Sequence, residues 1–312
     1  MAQSSADPAL HALIESINPA VKIADYQISP VSGLTGESWR ITAANIDWLA
    51  REQSMQKMQL GVNRRRERKL LRHVAGSDLS PVAIAANPHW LVVNWLQGDV
   101  VTDAQFIELS NNGKLAQLLA RLHYLPASGY RLDLRGQLIR YGNLIDPARR
   151  TPGWLRLQQD FLRKAQPQPI KLAPLHMDIH PGNLLITTTG LKLIDWEYAA
   201  DGDIALDIAA LFRGNNWSQS QQQTFLQHYC GGEHGGGGYH DITALARQIQ
   251  RWLPWIDYLM LMWFEVRWQQ TGDSAFLQWA APLRQRFNLS FCIFTLKLWG
   301  YRGSSDDRRC QL

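Results

Sequence analysis

Two neighbouring segments decide how this chain is organised: LHMDIHPGNLLI at residues 175–186 and LKLIDWEY at residues 191–198. Their pattern predicts a polar loop, a short apolar strand, a turn, and a second short strand that ends in acids. Four polar side chains are then carried to one end of a two-stranded ribbon: Asp178, Asn183, Asp195 and Glu197. Phosphoryl transfer needs such a set, because one carboxylate accepts a hydroxyl proton while an amide and a second carboxylate hold magnesium on ATP. The segments therefore indicate the chemistry of a small-molecule kinase.

The first segment also allows a different interpretation. His176, Asp178 and His180 alternate, so on a strand all three would lie on one face. This spacing is also typical of metal ligands in hydrolases. Pro181 breaks any such strand at once, and no second cluster of His, Asp or Cys supplies the remaining ligands. The kinase interpretation is therefore favoured over a metal-dependent hydrolase.

Composition indicates a soluble, globular, cytoplasmic protein. The chain has 312 residues, which suits two lobes, and its 46% hydrophobic and 19% charged content argues against disorder. Cys230, Cys292 and Cys310 are widely spaced and odd in number, which favours a reducing cytoplasm over a disulfide framework or a zinc site. The N-terminus lacks the apolar core of a signal peptide. Apolar runs near 259–264 and 291–296 are shorter than the roughly 20 residues that span a bilayer, so no membrane partner is expected.

The chain is mildly basic, with a net charge of +5 and a pI near 9.2. Much of the excess lies in the run RRRERK at residues 64–69, which suggests nucleic-acid contact as one possibility. No aromatic residues interleave with the run, and no second basic stripe accompanies it. A solvated helix face is therefore favoured, and no nucleic-acid partner is expected.

The part of the chain before residue 96 has mainly the pattern of strands. After an initial helix that starts at Asp7 and Pro8, the strand-like runs lie at residues 26–31, 39–42, 46–51, 82–86 and 90–95. A helix is predicted at about residues 62–74. Because helical patterns dominate beyond residue 96, we place a lobe boundary there.

Two features of this first lobe are compatible with phosphate binding. The small residues of SGLTGES at 32–38 let backbone N–H groups approach a phosphate, although an ordinary hairpin turn is equally compatible. Arg51 ends the third strand, and Glu67 lies on the predicted helix. A strand cation paired with a helix glutamate is how kinases grip the α and β phosphates. Two unrelated surface charges are the open alternative.

The second lobe reads as helices around the central segments. One helix is predicted at residues 103–123, then a loop at 129–153 and a helix at 154–164. Asp207 lies among apolar residues on another predicted helix. A buried carboxylate is costly unless it is hydrogen-bonded, so we expect Asp207 to accept backbone N–H groups of a neighbouring loop. The glycine-rich residues 231–238 are expected to form a surface loop.

A long aromatic-rich helix is predicted at residues 251–270. It contains Trp263, Glu265 and Trp268, and an acid among indole rings could bind an organic cation by charge and cation–π attraction. Core packing is the favoured explanation for most of the rings in this run.

The motif His-x-Asp-x-x-x-x-Asn, followed by Ile-Asp-x-Glu-Tyr-Ala, resembles the signature of the choline kinase and aminoglycoside phosphotransferase superfamily. Its members have a protein-kinase-like fold. Within it, the chain looks most like the bacterial thiamine kinase family over roughly residues 31–279. The stretches that carry this resemblance lie at residues 146–156, 174–178, 190–198, 263–268 and 270–273.

The resemblance implies a role for each matching residue. Asp178 is the expected catalytic base, and Asn183 and Asp195 are the expected magnesium ligands, with Glu197 as a further contact. The residues expected to contact ATP are Gly33, Thr35, Gly36, Ser38, Arg51, Glu67, Val93 and Trp95. The residues expected to shape the catalytic loop are His176 and Asp207, and those expected to form the substrate pocket are Trp263, Glu265 and Trp268.

The resemblance also implies the fold and the reaction. The expected fold class is α+β, bilobal and protein-kinase-like, with a small antiparallel-sheet N-lobe at residues 1–96 and a mostly helical C-lobe at residues 97–287. The tail at 288–312 has no recognised counterpart. The expected reaction is ATP- and Mg²⁺-dependent phosphorylation of the thiamine hydroxyethyl group, which yields thiamine monophosphate and ADP in thiamine salvage toward thiamine diphosphate.

Two alternatives to this reaction remain open. One is a kinase for another cationic alcohol, such as choline or an aminoglycoside. The other is a non-catalytic nucleotide-binding module, because Arg51 stands where the superfamily usually has lysine, and the two side chains differ in geometry.

Overall fold

The N-terminal lobe is built on a five-stranded antiparallel sheet with the order β1-β2-β3-β5-β4. The computed structural model describes residues 7–20, 22–31, 38–232 and 238–289. The strands are β1 (Gln27–Pro30), β2 (Ser38–Ala43), β3 (Ile46–Glu52), β4 (Ala83–Ala86) and β5 (Trp90–Asn94). The helices of this lobe are α1 (Pro8–Ile17), α2 (Met55–Gln59) and α3 (Arg64–Val74).

Helix α1 covers one face of this sheet. Asp7 caps the helix by accepting the Ala9 N–H at 2.7 Å, and Pro8 occupies the first turn, where its missing N–H costs nothing. The buried side chains of α1 and the sheet form a small core of their own, made of Leu10, Leu13, Ile14, Tyr26, Trp39, Ile41, Ala50, Trp90 and Val92. Helix α3 lies between this lobe and the central segments.

The C-terminal lobe is mostly helical. Its helices are α4 (Asp103–Asn111), α5 (Lys114–Tyr124), α6 (Leu134–Leu144), α7 (Pro152–Arg163), α8 (Ile204–Gly214), α9 (Gln219–Gly231), α10 (Ile242–Thr271) and α11 (Ala275–Arg286). Its short strands are β6 (Asp99–Val100), β7 (Leu172–Leu175), β8 (Leu184–Thr187), β9 (Gly190–Leu193) and β10 (Ala200–Asp203). The fold is therefore α+β and bilobal, as the sequence predicted.

The two central segments form the predicted ribbon. Strands β8 and β9 pair antiparallel, and β6 adds to the outer edge of β8. Strand β7, which leads into the polar loop, pairs with β10, which follows the acids. Both ends of the motif are thus held by sheet hydrogen bonds, which fixes the loop between them.

Two predictions about the helical lobe were wrong. The single helix predicted at residues 103–123 is two helices, because Gly113 adopts a left-handed backbone (φ +80°) that ends the first. The loop predicted at residues 129–153 contains α6. Asp133 caps α6 by accepting the Gly136 N–H, and Leu138 lies fully buried on its inner face.

Within the part of the chain that the structure describes, no helix is long and apolar enough to cross a membrane. Cys230 is buried and not disulfide-bonded. The predicted glycine-rich loop and the tail both fall partly outside the described residues, which resume at 238 and end at 289.

Candidate active site

A loop at residues 176–183 joins β7 to β8 and carries the first half of the motif. It ends in a short 3-10 turn at Pro181–Asn183. Met177 in this loop and Asp195 after β9 both have a positive φ, at +69° and +61°. Non-glycine residues rarely adopt this region, and they do so where surrounding structure holds a functional geometry in place. Both halves of the motif are therefore held in strained conformations.

Asp207 on α8 anchors the loop. Its carboxylate accepts the His176 N–H at 3.0 Å and the Met177 N–H at 2.7 Å, as the sequence predicted. The buried His123 Nε2 lies 3.1 Å from the same carboxylate. Burial alone would raise the pKa of Asp207, but the hydrogen bond from His123 and those from the loop lower it. Asp207 is therefore a charged anchor beneath the loop.

His176 is a structural part of the loop. Its Nε2 lies 2.9 Å from the Ile194 carbonyl oxygen, its Nδ1 accepts the Asp178 N–H at 3.3 Å, and its ring packs edge-on against Trp196. Burial lowers the pKa of His176, so the ring is neutral near pH 7. Both ring nitrogens are engaged within the protein, which disagrees with the metal-hydrolase interpretation of this segment.

Asp178 and Asn183 face each other across the loop. The Asn183 Nδ2 donates to the Asp178 carbonyl oxygen at 2.9 Å and to its Oδ2 at 3.1 Å. Desolvation, followed by repulsion from Asp195 and Glu197, raises the pKa of Asp178 to about 7. The Asp178 side chain is still 40% exposed, so a reactant can reach it. A carboxylate with these properties can accept a proton at neutral pH.

Asp195 lies beside a cation from the other lobe. Arg51 Nη2 at the end of β3 pairs with Asp195 Oδ1, and Arg51 Nη1 pairs with Glu67 Oε1 on α3. The pair between Arg51 and Glu67 decides between the two interpretations that the sequence left open, against two unrelated surface charges. Burial alone would raise the pKa of Asp195, but the charges of Arg51, Lys57 and Arg64 outweigh it and lower that pKa.

Six charged side chains meet at this point, and we call them the ion cluster: Arg51, Lys57, Arg64, Glu67, Asp195 and Glu197. Glu197 accepts from Lys57 Nζ at 2.8 Å on both carboxylate oxygens, from Arg51 Nη2 at 3.1 Å, and from Arg64 Nη1 at 3.3 Å. Arg64 Nη1 also donates to Glu67 at 2.7 Å. Only Asp195 is appreciably exposed, with 36% of its side chain accessible.

The ion cluster corrects two expectations. Glu197 was expected as a further magnesium contact, but it is 4% exposed and already surrounded by three cations. The basic run at 64–69 was expected to be a solvated face. Arg65 and Lys69 are exposed as expected, but Arg64 is 2% exposed, because its position on α3 points it at Glu67 and Glu197.

Asn183 and Asp195 fit a magnesium ion. The Asn183 amide nitrogen is used by Asp178, which leaves the amide oxygen as a ligand. Magnesium prefers oxygen ligands and is commonly held by one or two side chains together with substrate phosphates. In the described ranges no group of three or more His, Cys, Asp or Glu could hold a metal alone. The donor set therefore suits a metal shared with nucleotide phosphates.

The residues expected to contact ATP are only partly brought together. Ser38 on β2 pairs with Arg51 across the sheet, so its backbone lies next to the ion cluster. Val93 is buried in β5, and the Trp95 N–H donates to the Asp47 carbonyl oxygen at 2.9 Å, so that N–H is already used within the protein. Gly33, Thr35 and Gly36 lie outside the described residues.

Glu265 does not face an open pocket. Its side chain is fully buried and bound by Arg149 at 2.5 and 3.0 Å and by Arg284 at 2.7 Å. The expectation that the Glu265 carboxylate binds the substrate is therefore wrong, since both of its oxygens already pair with guanidinium groups. Trp268 lies under the Arg149 guanidinium, 4.7 Å from ring centroid to Cζ.

Trp263 is placed differently. Its Nε1 donates to the Tyr198 hydroxyl at 3.0 Å, and Tyr198 follows Glu197 directly. The charge of Asp178 contributes to the raised pKa of Tyr198, after burial, Glu197 and Tyr141. The hydrogen bond between Trp263 and Tyr198 joins α10 to the turn that follows Asp195.

Sequence reasoning missed Lys57, Arg64 and Tyr198. For Arg64 a signal existed: it precedes Glu67, Leu70, Leu71 and Val74 at helical spacing, and all five are buried on one face of α3. No comparable signal exists for Lys57, which lies on a helix of five residues.

Comparisons with known proteins identify relatives in sequence and in fold. A model described as the phosphotransferase enzyme family matches residues 28–245. The thiamine kinase of Shigella dysenteriae serotype 1 is 41% identical over 215 residues, which cover 67% of this chain and 74% of that protein. The thiamine kinase of Salmonella paratyphi B is 41% identical over 204 residues, which cover 65% of this chain and 70% of that protein.

Solved structures share the fold. Choline kinase LicA from Streptococcus pneumoniae superposes with a TM-score of 0.68 at 17% identity, covering 89% of this chain and 96% of that chain. The GDP complex of wild-type aminoglycoside 2'-phosphotransferase-IIIa superposes with a TM-score of 0.55 at 15% identity, covering 91% of this chain and 99% of that chain.

Proposed function

Since this chain belongs to the phosphotransferase enzyme family, we propose that it transfers the γ-phosphoryl group of ATP to the hydroxyethyl group of thiamine. The products are thiamine monophosphate and ADP, and the role is salvage of thiamine toward thiamine diphosphate. The proposal is supported by how the motif is held: Asn183 donates to Asp178, the Ile194 N–H before Asp195 donates to the Asn183 carbonyl oxygen at 3.0 Å, and Arg51 reaches Asp195 from the other lobe. The acceptor is taken from the relatives, which are thiamine kinases.

Asp178 acts as the base in this proposal. The thiamine hydroxyl oxygen attacks the γ-phosphorus, the bond from that phosphorus to the β-bridging oxygen breaks, and ADP leaves. The hydroxyl proton passes to the exposed Asp178 carboxylate, whose pKa of about 7 suits transfer at neutral pH. Asn183 orients the carboxylate by donating to its Oδ2.

Asn183 and Asp195 are the proposed magnesium ligands. Bound magnesium neutralises charge that develops on the phosphate oxygens. The protein's own contribution is positional, because the 176–183 loop and the turn after β9 hold both ligands at fixed places. Arg51 lies against Asp195 and is the proposed cation for the nucleotide phosphates, with the backbone of Ser38 beside it.

The acceptor side is proposed to lie along Tyr198 and Trp263. Thiamine carries a fixed thiazolium charge, and aromatic faces attract such cations. The hydrogen bond from Trp263 to Tyr198 holds the two side chains together, beside the turn that follows Asp195. We also propose a cytoplasmic setting, which the free, buried thiol of Cys230 supports.

A panel of acceptors tests this function. The protein is incubated with magnesium and γ-labelled ATP, and with thiamine, choline, ethanolamine or an aminoglycoside in turn, and labelled products are separated by mass. The label is expected in thiamine monophosphate, and thiamine monophosphate and ADP are expected to form in equal amounts. Label on choline or an aminoglycoside instead would support the kinase activity but contradict thiamine as the acceptor. Tight ATP binding with no labelled acceptor would favour a non-catalytic nucleotide-binding module, which the pairing of Arg51 with Asp195 allows.

A further inference from the structure

The ion cluster contains a cation that the proposed reaction does not yet use, Lys57. We propose that Lys57 is a positioning residue. It pairs with Glu197, so that the Arg51 guanidinium stays available to bind the nucleotide phosphates when Asp195 binds the metal. This inference rests on the proposed nucleotide site and concerns how that site is supported.

The contacts of Lys57 are directed and buried. It lies on α2 and is 2% exposed, and its Nζ lies 2.8 Å from each Glu197 carboxylate oxygen. Arg51 reaches the same carboxylate at 3.1 Å with Nη2, the nitrogen that also pairs with Asp195. Glu197 therefore competes with Asp195 for one end of Arg51, and Lys57 is the nearest cation to Glu197.

Charge balance gives Lys57 its role. The ion cluster contains three cations and three carboxylates, so it is neutral as a whole. Without Lys57, two guanidinium groups would face three carboxylates, and Glu197 would draw Arg51 away from the cleft. With Lys57 in place, engagement of Asp195 by a metal leaves one positive charge unbalanced at Arg51. That charge faces the site where phosphates are proposed to bind.

Helix α2 is held so that Lys57 is pre-positioned. Ser54 caps it by accepting the Lys57 N–H at 3.2 Å. At its other end, the Leu60 carbonyl oxygen accepts from the Tyr141 hydroxyl at 2.8 Å and from Gln137 Nε2 at 3.1 Å. Gln270 Nε2 from α10 binds the Gln59 side chain at 2.9 Å. Side chains held by such supporting contacts keep the geometry that a site requires.

The test compares Lys57→Met with Lys192→Met. Lys192 is a matched control, because it is a buried lysine paired with a carboxylate, that of Asp78, outside the ion cluster. Calorimetry with the full chain measures the affinity for ATP with magnesium and, separately, for thiamine. Lys57→Met is expected to weaken ATP binding by about tenfold or more and to leave thiamine affinity unchanged. Lys57→Arg is expected to restore most of the ATP affinity, and Lys192→Met to leave both affinities unchanged.

A double variant tests the route through Glu197. In a Glu197→Gln background the proposed competitor for Arg51 has lost its charge, so adding Lys57→Met should change ATP affinity by less than about threefold. This comparison also holds if Lys57→Met alone fails to fold, because the double variant buries neither charge. The inference is overturned if Lys57→Met binds ATP as wild type does, if it weakens ATP and thiamine alike, or if the two substitutions add independently. Failure of the wild-type protein to bind ATP would instead overturn the proposed function.

Discussion

At the residue scale, Asp178 and Asp195 belong to one motif, but their surroundings shift the pKa values of the two carboxyl groups in opposite directions. Asp178 accepts a hydrogen bond from the Asn183 amide and lies 3.9 Å from His180 Nε2, but desolvation and two neighbouring acids raise its pKa to about 7. Asp195 lies against Arg51, and the cations of the ion cluster lower its pKa. Environments that separate two pKa values in this way assign different chemistry to each group. Asp178 is suited to receive a proton, and Asp195 to stay ionised for a metal.

The pH dependence of kcat/KM for the acceptor follows from the raised pKa of Asp178. A base must be deprotonated, and a carboxyl with a pKa of about 7 is deprotonated only above that pH, so kcat/KM should fall as pH drops through about 7. Initial rates between pH 5 and 9 in buffers of constant ionic strength measure this. A profile that stays flat down to pH 5 would contradict the role of Asp178. Unfolding followed over the same pH range serves as the control for loss of structure.

Asp195→Asn should separate metal binding from nucleotide binding. The substitution removes a proposed ligand charge, so magnesium should improve ATP affinity far less than in wild type. It also releases Arg51 from its carboxylate partner. In excess chelator, the variant should therefore bind ATP at least as tightly as wild type. Calorimetry with and without magnesium measures both effects, and an unchanged magnesium dependence would rule out Asp195 as a ligand.

From the sequence, the residues proposed for catalysis could be grouped together more easily than their charged neighbours could be found. The spacing of Asp178, Asn183 and Asp195 is local to one ribbon and could be read directly. Lys57 and Arg64 reach Glu197 from well over a hundred residues away, and charged residues are normally expected at the surface. Glu265 was misassigned for the converse reason, because its partner Arg149 lies far away in sequence.

At the scale of elements, the strands of the first lobe and α3 were predicted close to their observed bounds, since alternation and capping are local signals, whereas β6, β7 and β10 were not predicted. Helix α6 was missed because Gly and Pro residues in and around it favour loops. Its cap at Asp133 and its buried residues Leu134, Leu138 and Tyr141 outweigh that composition. The break between α4 and α5 depends on one left-handed glycine, Gly113.

The anchoring of the 176–183 loop by α8 gives a prediction at this scale. Asp207→Ala leaves the N–H groups of His176 and Met177 buried without their acceptor. An orphaned buried polar group costs about 1–3 kcal/mol, so the free energy of unfolding should fall by at least that amount. The value of kcat should also fall, because Asp178 is the next residue after Met177 in the loop that Asp207 holds. Urea unfolding and steady-state rates measure the two effects.

Asp241→Ala is the matched control for that substitution. Asp241 also accepts a backbone N–H, that of Ala244 at 2.9 Å, but it does so at the start of α10 on the surface. Losing a helix cap costs about 1 kcal/mol and should leave kcat unchanged. Equal effects of the two substitutions on kcat would show that Asp207 does not act through the loop.

At the scale of the whole molecule, the two lobes meet through charges and not only through apolar packing. Arg51, Lys57, Arg64 and Glu67 come from the first lobe, and Asp195 and Glu197 come from the second. The contacts of Leu60 with α6 and of Gln59 with α10 lie beside this junction. The candidate site thus requires both lobes, and a fragment containing either one would lack part of it.

The measurement that tests the account most directly is the formation of thiamine monophosphate by the wild-type protein and by Asp178→Asn. Wild type should convert thiamine and ATP to thiamine monophosphate and ADP in equal amounts. Asp178→Asn should lower kcat by about 10²–10⁴-fold, the usual contribution of a general base. Its melting temperature at pH 8 should not fall, since a carboxyl whose folded pKa lies above its ordinary value of 3.8 opposes folding as pH rises above 3.8. Near-normal turnover by the folded variant, or no thiamine monophosphate from wild type, would contradict the account.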